Sequence, residues 1–169
     1  MELRRPTLQD QNAVIEMMDE FISYQSKHDS GFWDKNQFDY LTWLQNNQDA
    51  EQGRNLPENF VPAVQLVSFD ETGRALGFLQ IRLQLNDFLR QQGGHIGYSI
   101  RPSERRKGYA KVQLHLALPI ARSLKLEQVL ITCHCDNAAS RAVILANSGV
   151  LETISKGIER YWIDLKAIS

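Results

Sequence analysis

Apolar positions recur along this chain with two periods, and the switches between them mark out its elements. Residues 2–5 read as a first strand, stopped by Pro6. Thr7 and Asp10 stand at capping-box spacing before Val14, Met18, Phe21 and Ile22, whose helical recurrence predicts a core-facing helix to about Gln25. Residues 28–34 form a polar loop carrying Phe32 and Trp33, and Phe38, Leu41 and Leu44 predict a second, shorter helix. The polar stretch 46–59, punctuated by Gly and Pro, reads as a mobile loop. Segments 62–69 and 75–85 then predict two strands joined at Asp70-Glu71-Thr72-Gly73, an antiparallel hairpin. In the second of them Leu79, Ile81, Leu83 and Leu85 alternate with Gln80, Arg82 and Gln84, giving one apolar and one polar face.

The second half is more regular. A connection over 86–94, rich in Asn, Asp, Gln and Gly, leads to a strand ending at Arg101. A helix beginning near Lys107 carries the stripe Ala110, Leu114, Ala117, Ala121 and Leu124. Pro119 lies inside it, and an unrelieved interior proline costs about 3 kcal/mol, which predicts a kink or local break. Segment 129–135 reads as a buried strand, and the helix before it suits a parallel crossover. A helix over 137–147, ended by Gly149, and a hairpin over 152–165 around Lys156-Gly157 close the chain. Strands interleaved with helices place the chain in the α/β class.

Composition narrows this picture without redirecting it. At 169 residues, with 43% hydrophobic and 23% charged residues, the chain fits one globular domain spanning 1–169. There is no stretch of the roughly 20 apolar residues that a membrane span needs, and the N-terminus leads into no signal-peptide core, so a cytoplasmic protein without membrane partners is expected. Cys133 and Cys135 lie two apart in a predicted strand, a poor geometry for a disulfide. With no second ligand cluster near Cys133-His134-Cys135, no metal is expected.

Charge changes the picture at one place. Arg101, Arg105, Arg106, Lys107 and Lys111 put five cations within eleven residues of a chain whose net charge is −1. They surround the junction between a strand and a helix, and no Ser, Thr, Asp or Asn stands directly before Gly108 to cap that helix. Unpaired first-turn amides, a helix dipole and guanidinium groups together suit a phosphate. No Gly-Lys-Ser/Thr follows, which excludes a Walker loop, and no G-x-G-x-x-G is present, which excludes a dinucleotide fingerprint. A pI near 6.4 argues against a nucleic-acid partner.

The spacing Arg105-x-x-Gly108-x-Ala110 resembles the Q/R-x-x-G-x-G/A signature of the GNAT superfamily of CoA-dependent N-acetyltransferases. It comes with the strand Gly97-Tyr98-Ser99-Ile100-Arg101-Pro102 before it and the family-like Asn137-Ala138-Ala139-Ser140 after it, and the likeness covers roughly 62–165. The resemblance implies a GNAT fold, a mixed and mostly antiparallel central sheet with a splayed parallel strand pair, flanked by helices. It implies acetyl-CoA as cofactor, and transfer of its acetyl group to a primary amine of a small molecule or peptide by direct attack in a ternary complex. A non-catalytic acyl-CoA-binding or regulatory module is the alternative, and a homodimer is open.

Residue by residue, the resemblance assigns the pyrophosphate to the amides from Arg106 through Lys107, Gly108 and Tyr109 to Ala110, with charge from Arg105. It assigns the pantetheine arm to the main chain of Tyr98, Ser99 and Ile100 and to the Asn137 side chain. A backbone N–H around Ser99 or Ile100 is the expected oxyanion donor. His95, sharing a strand face with Ser99, is the first candidate base and His134 the second. Many family members carry a Tyr acid seven residues after the motif asparagine; here that position is Ile144, leaving Tyr98, Tyr161, Cys135 or a water. The segment after the first strand overhangs the acceptor in this family, making Tyr24, Trp33 and Trp43 candidate walls. Arg82 is a candidate partner for an acidic group on the acceptor.

Overall fold

In the computed structural model, which describes residues 1–29, 31, 32 and 34–168, the chain opens with β1 (Glu2–Arg4), α1 (Gln11–Ser23) and α2 (Tyr40–Glu51). It continues through β2 (Ala63–Phe69), β3 (Ala75–Arg82), α3 (Asp87–Gln91), β4 (Ile96–Ile100) and α4 (Tyr109–Ser123). It ends with β5 (Gln128–His134), α5 (Ala138–Ala146), β6 (Val150–Ser155) and β7 (Ile158–Asp164). The capping-box reading at Thr7 is met, since its N–H donates to Asp10 Oδ2 at 2.7 Å and opens the helical turn that feeds α1.

The strands form two antiparallel sheets, ordered β1-β2-β3-β4 and β5-β7-β6. The first sheet is covered on both faces. Val14, Met17, Met18 and Phe21 of α1 pack with Val67, Phe69 and Phe78 on one side, while Leu114, Ala117 and Ala121 of α4 pack with Val64, Leu66 and Leu79 on the other. Strand β2 is accordingly buried along its whole length, as a strand sandwiched between helices must be. The core of the second sheet, with Val129, Ile131, Tyr161 and Ile163, is continuous with the α4 side.

Several expectations change. The central parallel pair forms no ladder among the described residues. β4 and β5 meet instead at a single clasp, where His95 N–H donates to Leu130 O at 2.7 Å and His95 Nδ1 accepts from Leu130 N–H at 2.9 Å. The stretch expected to be a mobile loop from Asn46 is helical to Glu51, and Asp49 fastens the turn after α2 by accepting from Gln45 at 3.1 Å and Asn55 at 3.0 Å. The connection over 86–94 contains α3, five residues capped by Asn86 Oδ1 from Leu89 N–H at 2.9 Å, too short for a periodic signal. The local break expected at Pro119 does not occur: helix α4 runs through it, with Ala117, Leu118 and Ala121 on either side buried in the core. Ile22, expected inside, is 45% exposed, and Met17 takes its place. No helix among the described residues is long and apolar enough to cross a membrane.

Candidate active site

Past the His95 clasp the two sheets part, and the gap between them is a cleft of about 440 Å³, within the range of small-molecule sites. Ile96, Gly97 and Tyr98 of β4 line one side, Thr132, Cys133 and His134 of β5 the other, and Asn137 and Ser140 of α5 one end. The direction of the β4 amides follows from the ladder. Arg101 N–H bonds Leu76 O at 2.9 Å and β4 pairs with β3 in the register Phe78↔Ser99, so the alternation turns Gly97 and Ser99 toward β3. The polar main-chain groups of Tyr98 and Ile100 therefore face away from β3. Of the two expected oxyanion donors, this favours Ile100 over Ser99 and adds Tyr98.

The basic loop is less uniformly cationic than its sequence. Arg101 is fully buried and turned the other way, bonding Glu16 at 2.6 and 2.5 Å, Glu20 at 2.9 Å and Ala75 O at 2.9 Å. Burial would raise the Glu20 carboxyl, but bonds from Arg101 and Ser103 hold it down at about 2. Arg105 braces the loop, donating to Ile100 O at 2.9 Å and Ser26 Oγ at 2.7 Å, and Lys107 is paired with Glu104 at 2.9 Å. Arg106 and Lys111 have no ion pair among the described residues. Gly108 caps α4 with φ 82° and ψ 5°, a left-handed conformation, and no side chain caps that helix. Nothing lies within 4 Å of where a Gly108 side chain would begin. A bare helix N-terminus with an open approach is thus kept, and the backbone from Arg106 to Ala110 is placed for an anion by amides more than by the whole set of five cations.

The tyrosine and asparagine positions come together. Tyr98 reaches across the cleft, its hydroxyl 2.8 Å from Ser140 Oγ, and burial pushes the phenol up to about 12 against the opposing effect of that bond. Asn137 caps α5 by accepting from Ser140 N–H at 3.0 Å and also lines the cleft. Ile144, two turns along from Asn137, is wholly buried in the core and lines no part of the cleft. Ser140, at the i+3 position from Asn137, was a partner the sequence could have suggested by helical spacing.

The histidines separate. His95 is 7% exposed, does not line the cleft, and has its Nδ1 lone pair taken by Leu130; burial, then the Arg82 charge, lowers its pKa to about 4. His134 is exposed and lines the cleft. Tyr161 is turned inward, donating to Glu159 at 2.9 Å, and Cys135 is exposed outside the cleft lining. Cys133 does line it, but burial and its contact with Glu159 push the thiol up to about 11.

On the side overhung by α1, Arg82 does not wait for an outside carboxylate. It donates to Gly93 O at 2.9 Å, to Gln80 at 3.3 Å, and meets Asp29 at 3.4 Å. Asp29 enters the cleft from the loop after α1, and no signal in the sequence distinguished it from its polar neighbours. Trp43 packs into the α1 and α2 core with Nε1 donating to Gly31 O at 2.9 Å, and Tyr24 is 60% exposed outside the cleft lining. Trp33 lies outside the described residues.

The sequence model of the acetyltransferase (GNAT) domain matches residues 1–148. No curated protein sequence matches the chain. Among solved structures, Mycobacterium smegmatis RimJ in complex with CoA-disulfide is similar at TM-score 0.68 and 19% identity, over 98% of this chain and 82% of that one. RimL, a ribosomal L7/L12 alpha-N-protein acetyltransferase in complex with coenzyme A, is similar at 0.67 and 18%, over 98% and 94%. A spermidine N-acetyltransferase SpeG chimera from Vibrio cholerae and hSSAT gives 0.65 and 16%, over 98% of both chains. At such identities the structural likeness establishes the fold.

Proposed function

The chain belongs to the acetyltransferase (GNAT) domain family, and we propose that it transfers the acetyl group of acetyl-CoA to a primary amine by direct attack in a ternary complex. The observation that carries this reading is the opening between β4 and β5, lined by Tyr98 and Asn137, with β4 leading on into the uncapped start of α4. In this reading the amides of residues 106–110, with charge from Arg106 and Lys111, take the pyrophosphate. The pantetheine arm lies along the main-chain groups of Tyr98 and the N–H of Ile100 as an added strand, with Asn137 beside it on the cleft wall.

Acetyl transfer forms a bond from the amine nitrogen to the thioester carbon and then breaks the carbon–sulfur bond. The charge that develops on the carbonyl oxygen is met by an N–H on the open side of β4, Tyr98 or Ile100, fixed before reaction. His134 is the imidazole on the cleft wall and receives the proton that the amine loses. The departing thiolate is a far better leaving group than the amine nitrogen once that nitrogen has lost its proton, and leaves with little help. A phenol raised to about 12 would give up its proton only uphill, so Tyr98 stabilises the thiolate by a hydrogen bond while the proton comes from solvent. Ser140 positions that phenol. A buried phenol on β4 in this way does what Ile144 on α5 cannot.

Calorimetric titration of acetyl-CoA and CoA into the wild type and a Gly108→Trp variant tests the cofactor site. Binding by the wild type, lost in a variant that is still folded at the temperature of the titration, supports the reading; no binding by the wild type overturns it. Binding of acetyl-CoA without CoA release for any amine would favour the second reading, a regulatory acyl-CoA-binding module, which the absence of a Tyr at position 144 keeps in view.

A further inference from the structure

Resting on the acetyltransferase reading, we propose that Asp29 is the acceptor anchor, a single carboxylate that binds one ammonium group and selects monoamines with an apolar body over polyamines. Among the described residues lining the cleft, Asp29 is the only acidic one. It is held there by three independent features. Its backbone O accepts from Ser99 Oγ at 2.9 Å, which pins the loop to β4. His28 before it stacks on Phe32 at 4.2 Å and meets the Phe21 ring edge-on at 5.5 Å, which fixes the root of the loop. Gly97 below it has no side chain, and a Cβ there would fall 2.5 Å from Asp29 Oδ2 and 2.9 Å from Arg82 Nη2.

The carboxylate is thus seated over the strand that the thioester is expected to follow, one residue before Tyr98. Its Oδ1 faces Arg82 at a long 3.4 Å, whereas Arg82 is committed more closely to the Gly93 carbonyl. Arg82 therefore holds Asp29 in position without consuming it. Its side chain is 54% exposed, so a cation reaches it from solvent.

The same surroundings limit what kind of cation is accepted. Phe88, 65% exposed, and Leu89 of α3 supply an apolar shoulder on the cleft. The second and third ammonium groups of a polyamine would find Arg82 and no further carboxylate among the described lining residues. A monoamine carrying an aromatic or aliphatic body satisfies both features.

The test measures acetyl-CoA-dependent thiol release with phenethylamine and with spermidine, together with calorimetric binding of acetyl-CoA. The wild type should use phenethylamine with kcat/KM at least about tenfold above spermidine. Asp29→Asn should raise the KM for phenethylamine at least about tenfold, with acetyl-CoA affinity and melting temperature unchanged, as expected for loss of a charge-assisted bond. Asp29→Glu should retain most activity. Gly97→Ala, whose Cβ displaces only the flexible ends of Asp29 and Arg82, should raise that KM in the same direction. An Asp29→Asn variant with an unchanged KM, a preference for spermidine, or acetyl-CoA binding without turnover of phenethylamine would overturn the anchor and leave the cofactor reading standing. Failure of the wild type to bind acetyl-CoA would overturn both.

Discussion

His95 and Leu130 are joined by two hydrogen bonds, one from the His95 backbone N–H to Leu130 O at 2.7 Å and one from Leu130 N–H to His95 Nδ1 at 2.9 Å. This is the hinge from which the two sheets diverge. A side-chain nitrogen takes the place of the strand carbonyl that would accept from Leu130 N–H in a continuous ladder, and the pairing stops there. On β4 the cleft lining starts directly beyond it, at Ile96.

His95→Ala should leave the buried Leu130 N–H without its acceptor and destabilise the fold by about 1–3 kcal/mol in urea unfolding. The effect should depend on pH in a defined direction. The folded pKa is lowered to about 4 from the ordinary 6.5, so the unfolded chain binds the extra proton between these values. The advantage of wild type over His95→Ala is full above pH 6.5 and declines as the pH falls toward 4. A stability difference that stays constant over this window would count against the neutral clasp.

Removing Arg101 should be among the most damaging single changes. Arg101→Met leaves Glu20, whose side chain is 11% exposed, with only the more distant Arg74 guanidinium at 3.7 Å, and loss of one partner of a buried pair costs about 3–5 kcal/mol. Glu16→Gln should cost less than about 1 kcal/mol, because that carboxylate is 56% exposed. Chemical denaturation of both variants at pH 7 checks the ranking.

Two glycines should answer alanine substitution differently. At Gly77 a Cβ would fall 2.7 Å from Gln113 Oε1 and 2.8 Å from Ile100 Cδ1, and closer still to Ser99 O. Backbone and a fully buried glutamine stand in its way, so Gly77→Ala should cost about 1–3 kcal/mol or more. Gly108→Ala meets no atom and bears only the left-handed strain, about 1–2 kcal/mol. Melting curves of the two proteins give the comparison.

Tyr98→Phe should lower kcat on the order of a hundredfold at unchanged acetyl-CoA affinity, and Ser140→Ala should lower it less, since Ser140 only orients the phenol. Ile144→Tyr should not restore a Tyr98→Phe enzyme. Position 144 is fully buried in the core, and the larger ring should instead cost about 1–3 kcal/mol of stability. Steady-state kinetics and unfolding of the double variant separate these outcomes.

Most of the elements, though neither α3 nor the end of α2, were legible in the sequence, as were the uncapped start of α4 and the position of Asn137, because each rests on local physics. Hydrophobic period, turn chemistry at Asp70 to Gly73 and Lys156-Gly157, and the missing cap before Gly108 all act within a few residues of one another. Burial direction was not local in this sense. Five cations around one loop read alike, yet tertiary packing sends Arg101 into the core, uses Arg105 as a brace and pairs Lys107 with Glu104. His95 ranked ahead of His134 as a candidate base in the sequence, yet the sheet junction consumes His95 and leaves His134 on the cleft wall. Asp29 carried no signal at all, since its role depends on the space above Gly97, 68 positions away in sequence. The sequence by itself determined which segments become strands and helices and where an anion can meet bare amides; only the tertiary structure decided which side chains remain free to meet a ligand, because that depends on partners brought together from distant parts of the chain.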